Sequence, residues 1–316
     1  MTEQVCVYSG QALADYNFGP SHPFGPQRHD AFINEFRRQG LHEHTCPCEP
    51  VMANRAAIET FHTHAYIDTV IAQSMTGTGL LDAGDTPAFK GMYEAACFVT
   101  GSVLDGIDRI INGECSQVFV PIAGLHHARR DSAAGFCVFN DCGIAIETLR
   151  YIHGLRKISY IDIDAHHGDG VFYAFEDDPD LCFVDFHQDG RTLYPGTGSI
   201  DETGTHDAVG TKMNIPMPPG ANDELLKKMW PAAEAFIEKV QPEFIILHAG
   251  ADSLAGDPIT QMQYSKDAHR FITKRLKALA NRFCNGRMIA LGGGGYNLDN
   301  LANAWSAVVA ALTAQP

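Results

Sequence analysis

The chain has 316 residues, of which 45% are hydrophobic and 19% are charged, and its formal net charge is -15 with a pI near 5.3. This composition is that of a globular protein that can bury a full core, and it predicts a single domain over residues 1–316. The acidic charge disfavours nucleic acid as a partner, since phosphate binding depends on clustered Lys and Arg, and no apolar run is long enough for a membrane span.

Short apolar runs alternate along the chain with longer segments of helical periodicity. This alternation predicts an α/β fold, with a mostly parallel central sheet and helices on both of its faces. The predicted strands are 4–8, 117–121, 158–164, 181–187, 244–249 and 288–292. The predicted helices are 90–112, 141–154, 223–240, 265–284 and 298–313. Rim loops rich in Pro and Gly are predicted at 17–26, 76–87, 194–204 and 216–222.

The segment IDIDAHHGDG, residues 161–170, places two carboxylates and an imidazole at alternate positions where a predicted strand ends. Residues two apart in a strand share a face, so Asp162, Asp164 and His166 can point in the same direction. Open α/β sheets bind their ligands at the carboxyl ends of strands. Carboxylate and imidazole ligands suit a divalent ion such as Zn²⁺, which in catalytic sites leaves one position open for water. The segment therefore predicts a metal site.

Three further polar segments follow predicted strands. GLHHARR holds His126 and His127, which suit a general base and its electrostatic partner. HAGADS holds Asp252, which can supply a third metal ligand. GGGGY ends in Tyr296, whose hydroxyl can bind an oxyanion where the glycines let the backbone approach a ligand closely. Taken alone, the histidines could equally be a surface pair and Asp252 a turn residue, but with IDIDAHHGDG they favour one catalytic centre.

These motifs resemble those of the histone deacetylase superfamily, which has the arginase-deacetylase fold, and especially its bacterial acetoin-utilisation-type and class I-like members. The resemblance covers nearly the whole chain, in the order VYSGQALADYNFGPSHPFGPQR, FHTHAYI, GLHHARRDSAAGFCVFND, YIDIDAHHGDGV, FHQDGRTLYPGTG, HAGADSLAGDP and LGGGGYN. It implies hydrolysis of the amide of N6-acyl-lysine in a protein or peptide, with Zn²⁺ as the cofactor and Fe²⁺ as an alternative.

The resemblance also implies a role for individual residues. The implied metal ligands are Asp164, His166 and Asp252. The implied catalytic residues are His126 paired with Asp162, His127 paired with Asp169, and Tyr296 as the transition-state hydroxyl. The implied substrate-binding residues are Gly135, Phe136, Tyr194, Ile259 and Gly294. Arg28 is implied to lie near an inner channel through which acetate leaves.

Two positions depart from the pattern of many relatives. Asp185 stands where many have Ser as a ligand of a structural K⁺ or Na⁺, and the implied cation site comprises Asp162, Asp164, His166, Asp185 and Phe186. Ile259 stands where polyamine-selective relatives have an acidic residue, which argues against acetylpolyamines as substrates. A small-molecule amidohydrolase stays the alternative function. A protein that only binds acyl-lysine would have lost the histidine pair or the tyrosine, and both are present.

Other histidines and cysteines carry weaker signals. LHEHTCPCEP places His42, His44, Cys46 and Cys48 like a small metal site, but its prolines indicate an extended edge segment, and we favour a structural interpretation. Five histidines are predicted to lie on the surface or to cap helices, namely His22, His29, His62, His64 and His269. The nine scattered cysteines are typical of reduced thiols, so a cytoplasmic location is expected, while the oligomeric state is left open.

Overall fold

The computed structural model describes residues 4–314, which form one α/β domain around a single sheet of eight strands. All strand pairs are parallel, so the sheet is wholly rather than mostly parallel. The strands are β1 Val5–Tyr8, β2 Cys46–Cys48, β3 Gln117–Val120, β4 Ile158–Asp162, β5 Leu181–Gln188, β6 Lys212–Met217, β7 Phe244–His248 and β8 Met288–Leu291. Their order across the sheet is β2-β1-β3-β8-β7-β4-β5-β6.

Ten α-helices occur within residues 4–314. They are α1 Gln11–Ala14, α2 Gln27–Arg38, α3 Arg55–Ile58, α4 His64–Thr76, α5 Met92–Ile111, α6 Asp141–Tyr151, α7 Asp169–Ala174, α8 Asp223–Val240, α9 Lys266–Phe283 and α10 Leu298–Thr313. Short 3₁₀ turns occupy Leu41–His44 and His206–Ala208. Within the described part of the chain, no helix is both long and apolar enough to cross a membrane.

The parallel sheet determines where the polar segments meet. The inner strands β4 and β7 are buried throughout, because helices cover both of their faces. In the strand order β3, β8, β7 and β4 are consecutive neighbours, so their carboxyl ends lie side by side. The loops that follow these four strands therefore come together at one edge of the sheet, as expected for a parallel α/β sheet.

Several sequence predictions are corrected by the structure. The edge strand β6 was missed, and the predicted loop 216–222 begins inside it. The other edge strand, β2, lies in LHEHTCPCEP, which was predicted to be an extended edge segment. Each of these strands contains a proline, which is tolerated at a sheet edge because an edge strand lacks a second hydrogen-bonding neighbour. The predicted strand 158–164 ends at Asp162. The helices α1 to α4 and α7 were also missed, whereas α8 and α10 have their predicted bounds.

Three of the five unassigned histidines are buried rather than on the surface, namely His29, His62 and His269. Each ring bonds to main-chain groups: His29 Nε2 accepts from the Gly10 N–H at 3.2 Å, and His269 Nε2 donates to the Gly250 carbonyl at 2.9 Å. His62 joins two segments, because its Nδ1 lies 3.3 Å from the Arg130 carbonyl and its Nε2 accepts from the Asn140 N–H at 2.9 Å. Asn140 caps α6, so His62 supports that helix from within the core.

We predict that His62→Gln makes the protein less sensitive to acid. Burial lowers the pKa of His62 to about 3, so below pH 6.5 the unfolded chain takes up a proton that the folded protein does not. The free energy of unfolding then falls by about 1.4 kcal/mol per pH unit as the pH drops from 6.5 towards the folded pKa. Glutamine keeps one donor and one acceptor but has no such titration. Urea unfolding of both proteins between pH 5 and 8 measures the two slopes, and equal slopes would contradict the assignment.

Candidate active site

The side chains of Asp164, His166 and Asp252 converge where β4 and β7 end. One ligand atom from each lies within 4.8 Å of the others, and all three residues are buried. His166 Nδ1 is 3.0 Å from Asp164 Oδ1 and 3.1 Å from Asp252 Oδ2. The structure thus brings together the three residues that the resemblance implied as metal ligands.

Two glycines make room for the carboxylates. A Cβ on Gly294 would overlap Asp252 Oδ2, and a Cβ on Gly250 would overlap Asp164 Oδ2. The Gly294 N–H also donates to Asp164 Oδ2 at 2.9 Å. Gly294 was predicted to bind substrate, and the structure places its backbone directly against the carboxylates. Only glycine fits at this distance.

The electrostatics of the cluster suit a bound cation. Burial, together with the charge on Asp164, raises the pKa of Asp252 to about 7. Burial alone would lower the pKa of His166, but its bonds to Asp164 and Asp252 raise that pKa to about 10. Two buried carboxylates that face each other are unfavourable unless positive charge lies between them. Their oxygens and the imidazole nitrogen form a ligand set that fits a divalent ion.

Two histidine–carboxylate pairs lie beside this cluster. His126 Nδ1 donates to Asp162 Oδ2 at 2.8 Å, and His127 Nδ1 donates to Asp169 Oδ1 at 2.7 Å. The two Nε2 atoms are 3.1 Å apart, a distance at which they can share one proton. Burial and the neighbouring His127 lower the pKa of His126 to about 4. Each predicted histidine–carboxylate pair is therefore hydrogen-bonded, and the two Nε2 atoms face each other.

His248 is a buried histidine that the sequence analysis missed. Its Nδ1 lies 2.7 Å from Asp162 Oδ1 and its Nε2 lies 2.7 Å from the Gly124 carbonyl, so both nitrogens donate and the ring is positively charged. Burial opposes this charge, but Asp162 raises the pKa of His248 to about 9. His248 also falls within 4.8 Å of His126 and Asp164, yet with both nitrogens engaged it cannot be a metal ligand.

Asp162 is the centre of this hydrogen-bond network. Besides the two histidines, the Tyr160 hydroxyl donates to Asp162 Oδ2 at 2.7 Å and the Asp164 N–H donates to Asp162 Oδ1 at 3.0 Å. Both carboxylate oxygens are thus occupied. In the β4–β7 pair His248 is the direct neighbour of Asp162. That pairing is invisible in the sequence, where the two residues are far apart.

A narrow cavity leads to the cluster. Its volume is about 20 Å³, and its lining includes Phe24, His127, Gly135 and Tyr296. A Cβ on Gly135 would press against the His127 ring, so this wall also requires glycine. A cavity of this volume holds about one water molecule next to the cluster.

Phe136 and Tyr194 lie beside the cavity, each against a residue of its lining. The Phe136 ring packs edge to face against the Tyr296 ring at 5.8 Å, and the Tyr194 ring does so against His127 at 5.2 Å. Tyr194 is 46% exposed, so it lies at the rim. Ile259 is also partly exposed, and its N–H donates to Asp257 Oδ1 at 3.0 Å.

Asp257 is a second residue that the sequence analysis missed. Its Oδ2 accepts from the Tyr296 N–H at 2.8 Å. Through its two oxygens this carboxylate ties Ile259 on one loop to Tyr296 on another. It lies in an irregular loop, where no periodic pattern could have singled it out.

The "Histone deacetylase domain" family matches residues 22–312. The chain belongs to the histone deacetylase family. It is 33% identical over 320 residues to "Acetoin utilization protein AcuC" of Bacillus subtilis, covering 98% of this chain and 81% of that protein. It is 31% identical over 314 residues to "Histone deacetylase clr6" of Schizosaccharomyces pombe, covering 96% and 75%.

A solved structure shows the same architecture. The crystal structure of the HDA15 HD domain superposes with a TM-score of 0.90 at 25% identity, covering 99% of this chain and 90% of that one. Together with the histone deacetylase domain and the relative named a histone deacetylase, this establishes that the chain is an enzyme of the deacetylase class. The resemblance inferred from the motifs and the expected fold are both confirmed.

Arg28 is a fully buried cation in this deacetylase fold. Its Nε donates to the Gly295 carbonyl at 2.8 Å and its Nη2 donates to the Gly293 carbonyl at 2.5 Å. The Phe24 ring stacks on the guanidinium with its centroid 3.9 Å away. Nη1 has no protein partner. The side chain therefore lies directly behind the glycine segment that carries Tyr296.

Asp185, which the resemblance implied as a ligand of a structural cation, is also buried. Its Oδ2 accepts from the Gly168 N–H at 2.9 Å, while its Oδ1 has no protein partner. Burial and the charge of Asp162 raise the pKa of Asp185 well above its usual value. In the sheet Asp185 is the direct neighbour of Asp162. The next residue, Phe186, stacks on Trp230 at 6.0 Å.

Proposed function

We propose that this protein hydrolyses the amide of N6-acyl-lysine in proteins or peptides with the help of a divalent ion. Asp164, His166 and Asp252 would hold Zn²⁺, or Fe²⁺ as the alternative. The observation that supports this most strongly is the convergence of these ligands with two histidine–carboxylate pairs and a tyrosine at the end of a narrow cavity.

The bound ion would polarise the acyl carbonyl and lower the pKa of water to about 7. Asp169 holds His127 by its Nδ1–H, so His127 Nε2, which lies 3.1 Å from His126 Nε2, is the nitrogen that takes the proton of the attacking water. His127 then returns this proton to the leaving lysine amine. Asp162 orients His126, which lies beside His127. Tyr296 donates its O–H to the acyl carbonyl oxygen, which becomes an oxyanion when water adds to the acyl carbon. Burial raises the pKa of Tyr296 and keeps it protonated.

The residues in and beside the cavity support an acyl-lysine substrate. Gly135, Phe136 and Tyr194 would enclose the aliphatic part of the lysine, which needs a slender apolar passage. Ile259 offers no charge to a second ammonium group at the rim. Arg28, with one unpaired buried nitrogen, would attract the acetate product.

We also propose a structural K⁺ or Na⁺ next to the catalytic centre. Asp185 Oδ1 is buried without a partner, which supports a cation there. Both oxygens of the Asp162 side chain already accept hydrogen bonds, so the main-chain carbonyl oxygens of Asp162, Asp164, His166 and Phe186 would complete the site.

We also propose a cytoplasmic location, which the nine free cysteines support, because thiols stay reduced in that compartment.

Metal removal and readdition would test the function. We expect protein stripped of metal to be inactive on a fluorogenic acetyl-lysine peptide and Zn²⁺ to restore cleavage. Acetylputrescine should be cleaved at least about 100-fold less efficiently in kcat/KM, because Ile259 supplies no carboxylate to its second ammonium. A preference for acetylputrescine would favour the small-molecule alternative. Turnover of neither substrate by zinc-loaded protein would contradict amide hydrolysis.

A further inference from the structure

Asp257 links the loop that follows β7 to the loop that follows β8. Its side chain is buried, and its Oδ1 accepts from the Ile259 N–H of its own loop at 3.0 Å. Its Oδ2 accepts from the Tyr296 N–H of the other loop at 2.8 Å. Hydrogen bonds to a carboxylate are shorter and about twice as strong as those between neutral groups, and they are stronger inside a protein than in water. The Tyr296 main chain is therefore held firmly at this point.

The segment that leads to Tyr296 gives the tyrosine little support of its own. Four glycines precede it, and two of them, Gly293 and Gly295, have φ of +75° and +122°. Without side chains this segment has no packing that fixes its direction, and glycine allows many backbone conformations. Main-chain hydrogen bonds locate it instead, such as the one from the Gly293 N–H to the Ala123 carbonyl at 2.6 Å. Asp257 supplies the bond at the tyrosine itself.

The other end of the Tyr296 side chain must stay free. Its hydroxyl has to be available for the oxyanion, so the ring is located by packing and by its main chain. The ring packs edge to face against Phe136 at 5.8 Å, and the Arg28 guanidinium lies 5.5 Å from its centroid. Such ring contacts tolerate small displacements, whereas a hydrogen bond to an oxyanion weakens steeply as its angle departs from linear. The position of the hydroxyl therefore depends on the main-chain anchor.

We propose that Asp257 is a positioning residue that holds the Tyr296 hydroxyl where it can donate to the oxyanion. The inference rests on the proposed function, in which Tyr296 is that donor. Both carboxylate oxygens of Asp257 bond to main-chain N–H groups, one in its own loop and one at Tyr296. The influence of Asp257 on the chemical step therefore passes through Tyr296, and it vanishes when the tyrosine hydroxyl is removed.

A double-mutant cycle with the zinc-loaded protein and an acetyl-lysine peptide tests this inference. Asp257→Ala removes both acceptor oxygens and leaves room for water, which pairs the Tyr296 N–H without fixing its position. We expect kcat to fall about 10- to 100-fold, because a misplacement of about 1 Å can cost about 100-fold, while KM and the zinc content stay near their wild-type values. In the Tyr296→Phe background the same substitution should change kcat by less than about 2-fold, since no hydroxyl remains to be positioned. Asp257→Asn keeps one acceptor oxygen and should show the same pattern with a smaller loss, so it carries the test if the alanine variant does not fold.

Asn300→Ala is the matched control. Asn300 Nδ2 donates to the Ala255 carbonyl at 2.9 Å, so it joins the same loop after β7 to α10 without a bond to Tyr296. This variant should keep the wild-type kcat. The inference alone is overturned if the Asp257 variants lower kcat by the same factor in both backgrounds, leave it unchanged or act mainly on KM, or if Asn300→Ala lowers kcat as much as they do. A wild-type protein inactive on the peptide, or a Tyr296→Phe variant with near-normal kcat, would contradict the proposed function or its oxyanion donor, and this inference with it.

Discussion

Replacing Asp252 with asparagine is expected to abolish measurable deacylation and to weaken Zn²⁺ binding by more than about 100-fold. Asp252 Oδ2 faces His166 Nδ1 at 3.1 Å, and Asp252 Oδ1 accepts from the Ala165 N–H at 2.8 Å. An amide of the same size keeps the packing but removes one of two charges that face the ion. Because Asp252 is buried, water screens its charge little, and the carboxylate attracts the ion strongly.

Two measurements separate metal loss from unfolding. Metal content per chain after dialysis against a chelator reports binding, and thermal unfolding reports the fold. The matched control is Asp207→Asn, which makes the same chemical change at an exposed carboxylate. Zinc affinity that is unchanged in Asp252→Asn would remove Asp252 from the ligand set, whatever the activity.

Tyr296→Phe should reduce kcat about 10²- to 10³-fold, equivalent to about 2.7–4 kcal/mol of transition-state stabilisation. The reduction in kcat arises because phenylalanine lacks the hydroxyl that would donate a hydrogen bond to the oxyanion. The ring should keep its place, because its main chain bonds to Asp257 and its face packs against Phe136. KM and the zinc content should therefore stay near their wild-type values.

Pre-steady-state turnover with a saturating acetyl-lysine peptide measures this effect on the chemical step. Tyr151→Phe is a suitable control, since that hydroxyl belongs to a tyrosine that is 78% exposed. If Tyr296→Phe kept near-normal kcat, Tyr296 would line the cavity without taking part in the reaction.

The order of elements could be predicted wherever a segment was long and strongly periodic. The helices α8 and α10 have their predicted bounds, and the six inner strands were found within two residues at each end. The elements that were missed are short, polar or, like α4, without a clear apolar face. The missed edge strand β6 contains a proline, and α2 has the sequence QRHDAFINEFRR, in which only a narrow apolar stripe faces the core. In such segments tertiary contacts outweigh local preference.

The candidate site was predictable to the extent that its residues follow strands. Asp164, His166 and Asp252 all occur just past an apolar run, and parallel strands bring such positions to one edge. The residues that support them were not predictable in this way. His248 meets Asp162 across the sheet, and Tyr16 meets Phe136 from a loop 120 residues away in sequence.

Apolar periodicity and the order of motifs are local properties of the chain, so the fold class, the family and the set of polar residues available for chemistry could be inferred from the sequence. Which of these groups are charged, which are buried and which share a hydrogen bond follows only from the folded structure. Charge and hydrogen bonding depend on distances of a few ångströms between segments far apart in sequence. His62 illustrates the difference: its residue type was visible at once, but its buried bonds to Arg130 and Asn140 appeared only in the folded chain.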